Sequence, residues 1–298
     1  MITLSLALLL PLAAHAAPSS DASFAVPAAA AQSAFAFKAA SWNEEDALLE
    51  LLRDSDPSVR RQAVRSLKAW VYQRWSTKDR VLEVYKDERE GLSVRREAAK
   101  TLSAVTGYFD VQAALLDGAQ RGSDASLRAI SYKALYWAAA QRWDVRDALL
   151  DAAARETVPS VRLAAIWGLF AANDNRVKDG LLDLARRDHD DAVRAEALKS
   201  SYGLMGYNDV RDLSVDLARD ERTPSVVRRA AILLQSNRVT SAQKDLLEEI
   251  AARDRDAKMR AAAILALGSP RSEELASYFH LVRRDQNGVM VVDPLDAE

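Results

Sequence analysis

The feature that most constrains this chain is a Val-Arg step that returns at nearly constant spacing. It stands as Val59-Arg60, Val94-Arg95, Leu127-Arg128, Val161-Arg162, Val193-Arg194, Val227-Arg228 and Met259-Arg260, with separations of 35, 33, 34, 32, 34 and 32 residues. Self-similarity at a period of about 20–50 residues marks a chain of stacked copies of one small unit. One unit cannot bury its apolar face alone, so its neighbours must cover it.

Each unit reads as two helices. With the apolar residue of the step as position zero, position +4 is Ala63, Ala98, Ser131, Ala165, Ala197, Ala231 and Ala263. Position +8 is Leu67, Leu102, Leu135, Leu169, Ser201, Gln235 and Leu267. Positions zero, four and eight share one helical stripe, and the small residue at +4 admits a neighbouring helix. A first helix precedes each of these, traced by ALLELL (47–52), VLEVY (81–85), VQAALL (111–116), VRDALL (145–150), VKDGLL (177–182), VRDLSV (210–215) and QKDLLEEI (243–250). Ser41 with Glu44 forms a capping box, and Asp56-Pro57 and Thr223-Pro224 place a capping side chain before a proline. No strand pattern appears before GVMVV (288–292).

The unit D-x-x-P-x-V-R-x-x-A-x-x-x-L resembles HEAT repeats, in particular the short HEAT-like type seen in phycobilin lyases. The resemblance runs from Ser41 to Asp285. It implies an all-α fold, a right-handed α-solenoid of about seven helix-turn-helix repeats. It also implies a ladder between repeats, in which the step arginine and an acid about six positions earlier take part. The arginines are Arg60, Arg95, Arg128, Arg162, Arg194, Arg228 and Arg260; the acids are Asp54, Glu156, Asp188 and Asp254. In the two longer units Asp87 and Asp220 stand eight back, and the third unit has Gly122 there, with Asp124 the nearest acid. Helical geometry supports a structural role independently. At about 100° per residue the arginine at +1 falls inside the apolar arc, with its stem packed and its head paired. A residue kept in every unit serves the unit, whereas a partner reads what differs between units.

In such solenoids the second helices line the concave surface. The face of the second helix opposite its core side is centred near +6, with +2 and +9 beside it. It changes along the array. Units one and two are basic, with Arg61, Arg65, Lys68, Arg96 and Lys100, and Lys133 and Lys199 continue position +6. The middle is aromatic, with Tyr136, Trp167, Phe170 and Tyr202 beside Leu163 and Trp137. Two readings of these rings stay open: tight packing in a strongly curved superhelix, or a partner-binding groove. The last units present Leu233 and Leu265, which a closing helix over 272–284 and the tail GVMVVDPL (288–295) can cover. A second aromatic set, Trp75, Phe109, Trp143 and Tyr207, precedes the first helices; its recurrence predicts packing between repeats.

The N-terminus is a separate segment. Residues 1–16 have an apolar core from Ile2 to Leu12 and end in Ala14-His15-Ala16, the layout of a cleaved signal, although no Lys or Arg precedes the core. The run is short of the roughly 20 apolar residues a membrane span needs. The expectation is export to a periplasmic or extracellular location, with no membrane span after cleavage. Residues 17–40, rich in Ala, Ser and Pro, read as a flexible leader, 41–285 as the solenoid and 286–298 as a tail.

Composition narrows the chemistry. There are no cysteines, so disulfides and thiolate sites are excluded. His189 and His280 stand alone, so no metal site is expected, and no phosphate loop or nucleophile elbow occurs. The expectation is a non-catalytic scaffold without cofactor that holds a protein or peptide in the groove. A net charge of −2 makes nucleic acid a poor partner, though polyanion binding through the basic first units stays an alternative. A lyase-type enzyme is a second alternative.

Overall fold

The computed structural model describes residues 44–298, apart from 238–239, 269–271, 280–282, 285–289, 293–294 and 296–298. All of these belong to one compact unit, Asn43–Glu298. The signal, the leader and Ser41 of the expected capping box lie outside the described residues.

Seven helix pairs follow the repeat. They are α1 (Glu44–Leu51) with α2 (Pro57–Ser66), α3 (Trp75–Lys86) with α4 (Leu92–Leu102), and α5 (Phe109–Arg121) with α6 (Ala125–Ala134). A short α7 (Tyr136–Gln141) intervenes before α8 (Trp143–Arg155) with α9 (Pro159–Gly168) and α10 (Asn175–Arg187) with α11 (Asp191–Ser200). The array continues with α12 (Asn208–Arg219) and α13 (Ser225–Leu234), then α14 (Ser241–Arg253) and α15 (Ala257–Leu267). Second helices pack on one another in sequence, α2 on α4, α4 on α6, and so on to α15. The fold is an all-α solenoid.

The stripe read from sequence is its core. Val94, Ala98 and Leu102 are buried, as are Val161, Ala165 and Leu169 one repeat pair later. Alanine or serine at +4 lets α2 through α15 approach closely, so apolar area is removed from water at each interface. Of the two expected proline-linked caps, one forms and one does not. The Asp56 carboxylate accepts from the Ser58 N–H at 2.8 Å, with Pro57 opening α2. Thr223, by contrast, does not cap α13, because Pro224 itself takes the capping position and the helix starts one residue later. A full capping box forms instead at α14 between Thr240 and Gln243.

The C-terminus closes the array. Helix α16 (Glu273–Tyr278) is capped by Ser272 and ends well before residue 284. The chain then forms an antiparallel pair of β1 (Arg283–Arg284) with β2 (Met290–Val292). Phe279 and Leu295 are fully buried and belong to the same apolar core as the repeats. Among the described residues, no helix is long and apolar enough to cross a membrane.

Candidate functional site: the second-helix face

The ladder lies beneath this face and fixes the repeats that carry it. Arg162 and Asp188 meet in a two-pronged pair at 3.0 and 3.1 Å. Arg60 grips Glu90 with two bonds of 2.8 Å, Arg128 reaches Glu156 at 3.3 Å, and Arg228 pairs with Asp254. Each arginine therefore bonds the acid of the following repeat. Within its own repeat it donates to a backbone carbonyl near the end of the first helix: Arg60 to Asp54, Arg128 to Gly122, Arg228 to Ala218. In the first described repeat, the Asp54 carboxylate takes the Asp56 N–H.

Two rungs depart from expectation. The acid of the second repeat is Glu90, because Asp87 turns its carboxylate to the Arg89 N–H and leaves the ladder. Asp220 likewise caps the Arg222 N–H, and Arg194 pairs with Asp191 and the Ala185 carbonyl. In these longer turns an acid eight back is spent on closing the turn. Arg95, opposite Gly122, donates to the Tyr85 carbonyl and meets no carboxylate among the described residues. Arg260, in the last described repeat, rests on the carbonyls of Asp254 and Arg255.

The ladder tunes its acids. The Arg60 hydrogen bond holds the Glu90 carboxyl below the usual carboxylate range, against partial burial that pushes it up. For Asp254 burial pushes up most, but the bonds from Arg228 and the Asp256 N–H leave it lowered on balance.

The structure divides the predicted groove residues. Arg65 and Arg96 are exposed; Arg61, Lys100, Lys133, Leu163, Phe170, Lys199 and Tyr202 are half-buried. Tyr136 and Trp167 are buried, 0 % and 2 % exposed, and cannot offer a groove surface. The Tyr136 ring stacks on Phe170 at 5.3 Å and meets Trp167 edge-on at 5.7 Å, while Lys133 lies over the Trp167 ring. For Tyr136, at +9, the physical reason is that its helix does not continue at about 100° per residue, because α6 breaks at Leu135. Four other second helices end in a 3₁₀ turn, as at Leu67–Ala69 and Ser103–Val105, and Ser103 and Ser236 at +9 are buried as well. Trp167, at +6 within α9, is buried under the rings of Tyr136 and Phe170 that pack on it.

The C-terminal half of the face is covered by the chain itself. Phe279 stacks on Tyr202 at 4.4 Å between ring centres. The Tyr278 ring receives Lys199 and Arg229, each 5.0 Å from its centre. Burial pushes the Tyr278 hydroxyl up to about 12, and nearby Arg229 opposes the shift. Leu233 is fully buried. Beyond α16 a cleft of about 960 Å³ lies between α13 and α15, lined by Val226, Ile264 and Leu265 and edged by Arg229, Lys258 and Glu274.

The second aromatic set corrects the sequence expectation. Trp75, Phe109 and Trp143 are 70, 69 and 69 % exposed rather than packed between repeats. Each is the first residue of its helix, so its ring projects at the end of the helix row. Tyr207 is a different position, the residue before its helix, equivalent to Tyr108 in YFDV against YNDV. Both tyrosines lie under a lysine of the previous repeat, Lys78 over Tyr108 and Lys178 over Tyr207.

Those lysines belong to a second ladder that sequence reasoning missed. Lys78 pairs with Asp110, Arg146 with Asp174 at 2.6 Å, and Lys178 with Asp209. The signal was present as a cation in the first turn of α3, α8 and α10 and an acid about 30 residues on, near the start of the following first helix.

The family model of HEAT repeats matches residues 45–136 and 113–201, more than half of the chain. This chain belongs to the HEAT-repeat family. Three solved structures resemble it. The CpcE–CpcF complex of phycocyanin lyase from Nostoc sp. PCC7120 is 16 % identical, with 88 % of this chain and 97 % of that chain covered and a TM-score of 0.47. YibA of E. coli is 17 % identical, with 85 % and 100 % covered and a TM-score of 0.48. Human deoxyhypusine hydroxylase is 16 % identical, with 80 % and 89 % covered and a TM-score of 0.36. A comparison with curated proteins finds no match. Likenesses this distant concern the fold and carry no functional argument.

Proposed function

We propose that the chain is an exported, non-catalytic scaffold that holds a protein or peptide on the N-terminal half of its second-helix face. One observation carries this reading: the basic N-terminal part of the face stays exposed at Arg65 and Arg96, while the closing segment lies over Lys199, Tyr202 and Arg229 further along. Arg61 and Lys100 form no ion pair among the described residues, Arg65 touches Glu97 at 4.0 Å, and Arg96 acts on Asp124 through its charge without a direct ion pair. At the other end α16 and Phe279 occupy the surface. Cations held loosely or not at all by the chain's own acids attract an acidic segment and fix its register more than they raise raw affinity.

The test is affinity capture from envelope or culture fluid with wild-type protein and an Arg61→Glu, Arg65→Glu, Arg96→Glu variant. The reading expects the variant to lose a specific protein. Identical capture by both would sink it. The alternative, a polyanion on the same cations, is separated by salt, because nucleic-acid affinity falls steeply and linearly in log salt.

A further inference from the structure

The chain's own closing segment is one occupant of the second-helix face. From Ser272 to Phe279 it reads SEELASYF, two acids followed by two aromatic rings. Lys199 of α11 and Arg229 of α13 each lie 5.0 Å from the centre of the Tyr278 ring. A cation over a ring face is attracted by the ring quadrupole, more strongly where water is excluded. In the repeat these two cations stand at +6 of one unit and +2 of the next. Along the seven units that combination occurs at one other place, Arg65 of α2 and Arg96 of α4. Glutamate stands at +3 beside the same two pairs and nowhere else. Glu196 pairs with Lys199 at 2.9 Å, and Glu97 with Arg65 at 4.0 Å. The two places differ in cover. The Lys199 side chain is 22 % exposed under the closing segment, whereas that of Arg65 is 60 % exposed and Arg96 is exposed beside it.

Building on the scaffold reading, we propose that Arg65 and Arg96 clasp an aromatic side chain of an acidic peptide, as Lys199 and Arg229 clasp Tyr278. Packing gives both pairs the same setting, because α2 packs on α4 as α11 packs on α13. The contact of Arg65 with Glu97 crosses that helix pair directly, so position +6 reaches the neighbouring repeat. The residue type fits as well. A planar, weakly hydrated guanidinium stacks on an aromatic face more readily than an ammonium does. Charge selects the acidic flank. Arg61 and Lys100 lie on the same two helices, and of these four positive charges Glu97 and Asp124 offset two. The covered end shows the same arrangement, with Glu274 of the closing segment at the edge of the cleft that holds Arg229 and Lys258.

The test is calorimetric titration of the full chain with the synthetic peptide SEELASYF, which should bind saturably. Its Tyr278→Ala form should bind about fivefold or more weakly, the loss that one ring–cation contact represents. Its Glu273→Gln, Glu274→Gln form should bind more weakly and with less dependence on salt. The Arg65→Ala, Arg96→Ala chain alters only exposed side chains; with an unchanged circular dichroism spectrum it should lose about fivefold or more in affinity. The Arg65→Lys, Arg96→Lys chain should keep most of it, as Lys199 serves at the covered place. Equal binding of the Tyr278→Ala peptide overturns the ring clasp and leaves the scaffold reading standing, since that reading is tested by the capture experiment. Equal binding by the Arg65→Ala, Arg96→Ala chain also overturns it, including the case in which the peptide exchanges with the closing segment. So does the absence of saturable binding. So does displacement of the peptide by an equal concentration of oligodeoxythymidylate of similar length, which offers rings and negative charge on a nucleic-acid backbone.

Discussion

Arg162 and Asp188 belong to adjacent repeats and face each other through two hydrogen bonds, with both side chains almost wholly buried. The geometry is the bidentate one that a planar guanidinium and a carboxylate favour. It ties the second helix of repeat four to the turn of repeat five. Four arginine–carboxylate rungs occur among the described residues, two of them bidentate; the missing ones are at Arg95, opposite Gly122, and at Arg194, opposite the turn that uses Asp220.

Removing one partner leaves the other charge buried. Arg162→Ala should therefore destabilise the protein by about 3–5 kcal/mol. Arg95→Ala, which strands no carboxylate, should cost much less. Urea denaturation of the two variants compares them, and similar losses would show that the carboxylate rung is not what matters. An Arg162→Met, Asp188→Leu pair should recover most of the stability lost by Arg162→Ala.

The ladder predicts sensitivity to acid. Glu90 and Asp254 titrate below their usual values in the folded chain. Their contribution to stability is full above the unfolded carboxylate range of about 4 and is lost as pH falls through the lowered folded values. Melting temperature should stay flat from neutral pH down to that range and then drop. In Glu90→Gln the drop should be shallower. An identical profile in the variant would remove Glu90 as a contributor.

The closing segment should behave as part of the core. Phe279 is 1 % exposed and stacks on Tyr202, so Phe279→Ala should cost about 3–5 kcal/mol, the usual range for a buried phenylalanine. It should also raise binding of an apolar dye, as the uncovered Tyr202 and Leu233 meet water. Unchanged stability and dye binding would place the segment outside the core.

Tyr278 gives a second handle on the same contact. With its hydroxyl pushed up to about 12, it should ionise well after an ordinary tyrosine near 10, and ultraviolet titration against Tyr278→Phe isolates its transition. A folded value above the unfolded one means stability present below about pH 10 and lost as pH rises towards 12. Early ionisation would mean that α16 does not bury the ring.

Gly118, midway along α5, faces the Tyr85 hydroxyl so closely that a β-carbon has no room. That hydroxyl is buried and shares a 2.7 Å hydrogen bond with Ser131. Gly118→Ala should cost about 1–3 kcal/mol by overpacking, despite the better helix propensity of alanine. Gly107→Ala, where a β-carbon meets nothing, should be nearly neutral by the same thermal melt.

The sequence by itself determined the solenoid, because a 32–35-residue period with apolar residues at zero, +4 and +8 admits only stacked helix pairs. It also marked the step arginines as structural, since they recur with the core. What only the tertiary structure decided depends on where each helix ends. Helix α6 breaks at Leu135, so Tyr136 leaves the face that a straight helix would give it. The first-helix starts lift Trp75, Phe109 and Trp143 out of the repeat interface although they recur as regularly as core residues. Pairing across repeats is likewise invisible to local spacing: Glu90 rather than Asp87 meets Arg60 because the turn consumes the nearer acid. Periodicity reports which residues are equivalent; which way an equivalent residue points is set by the turn that precedes or follows it.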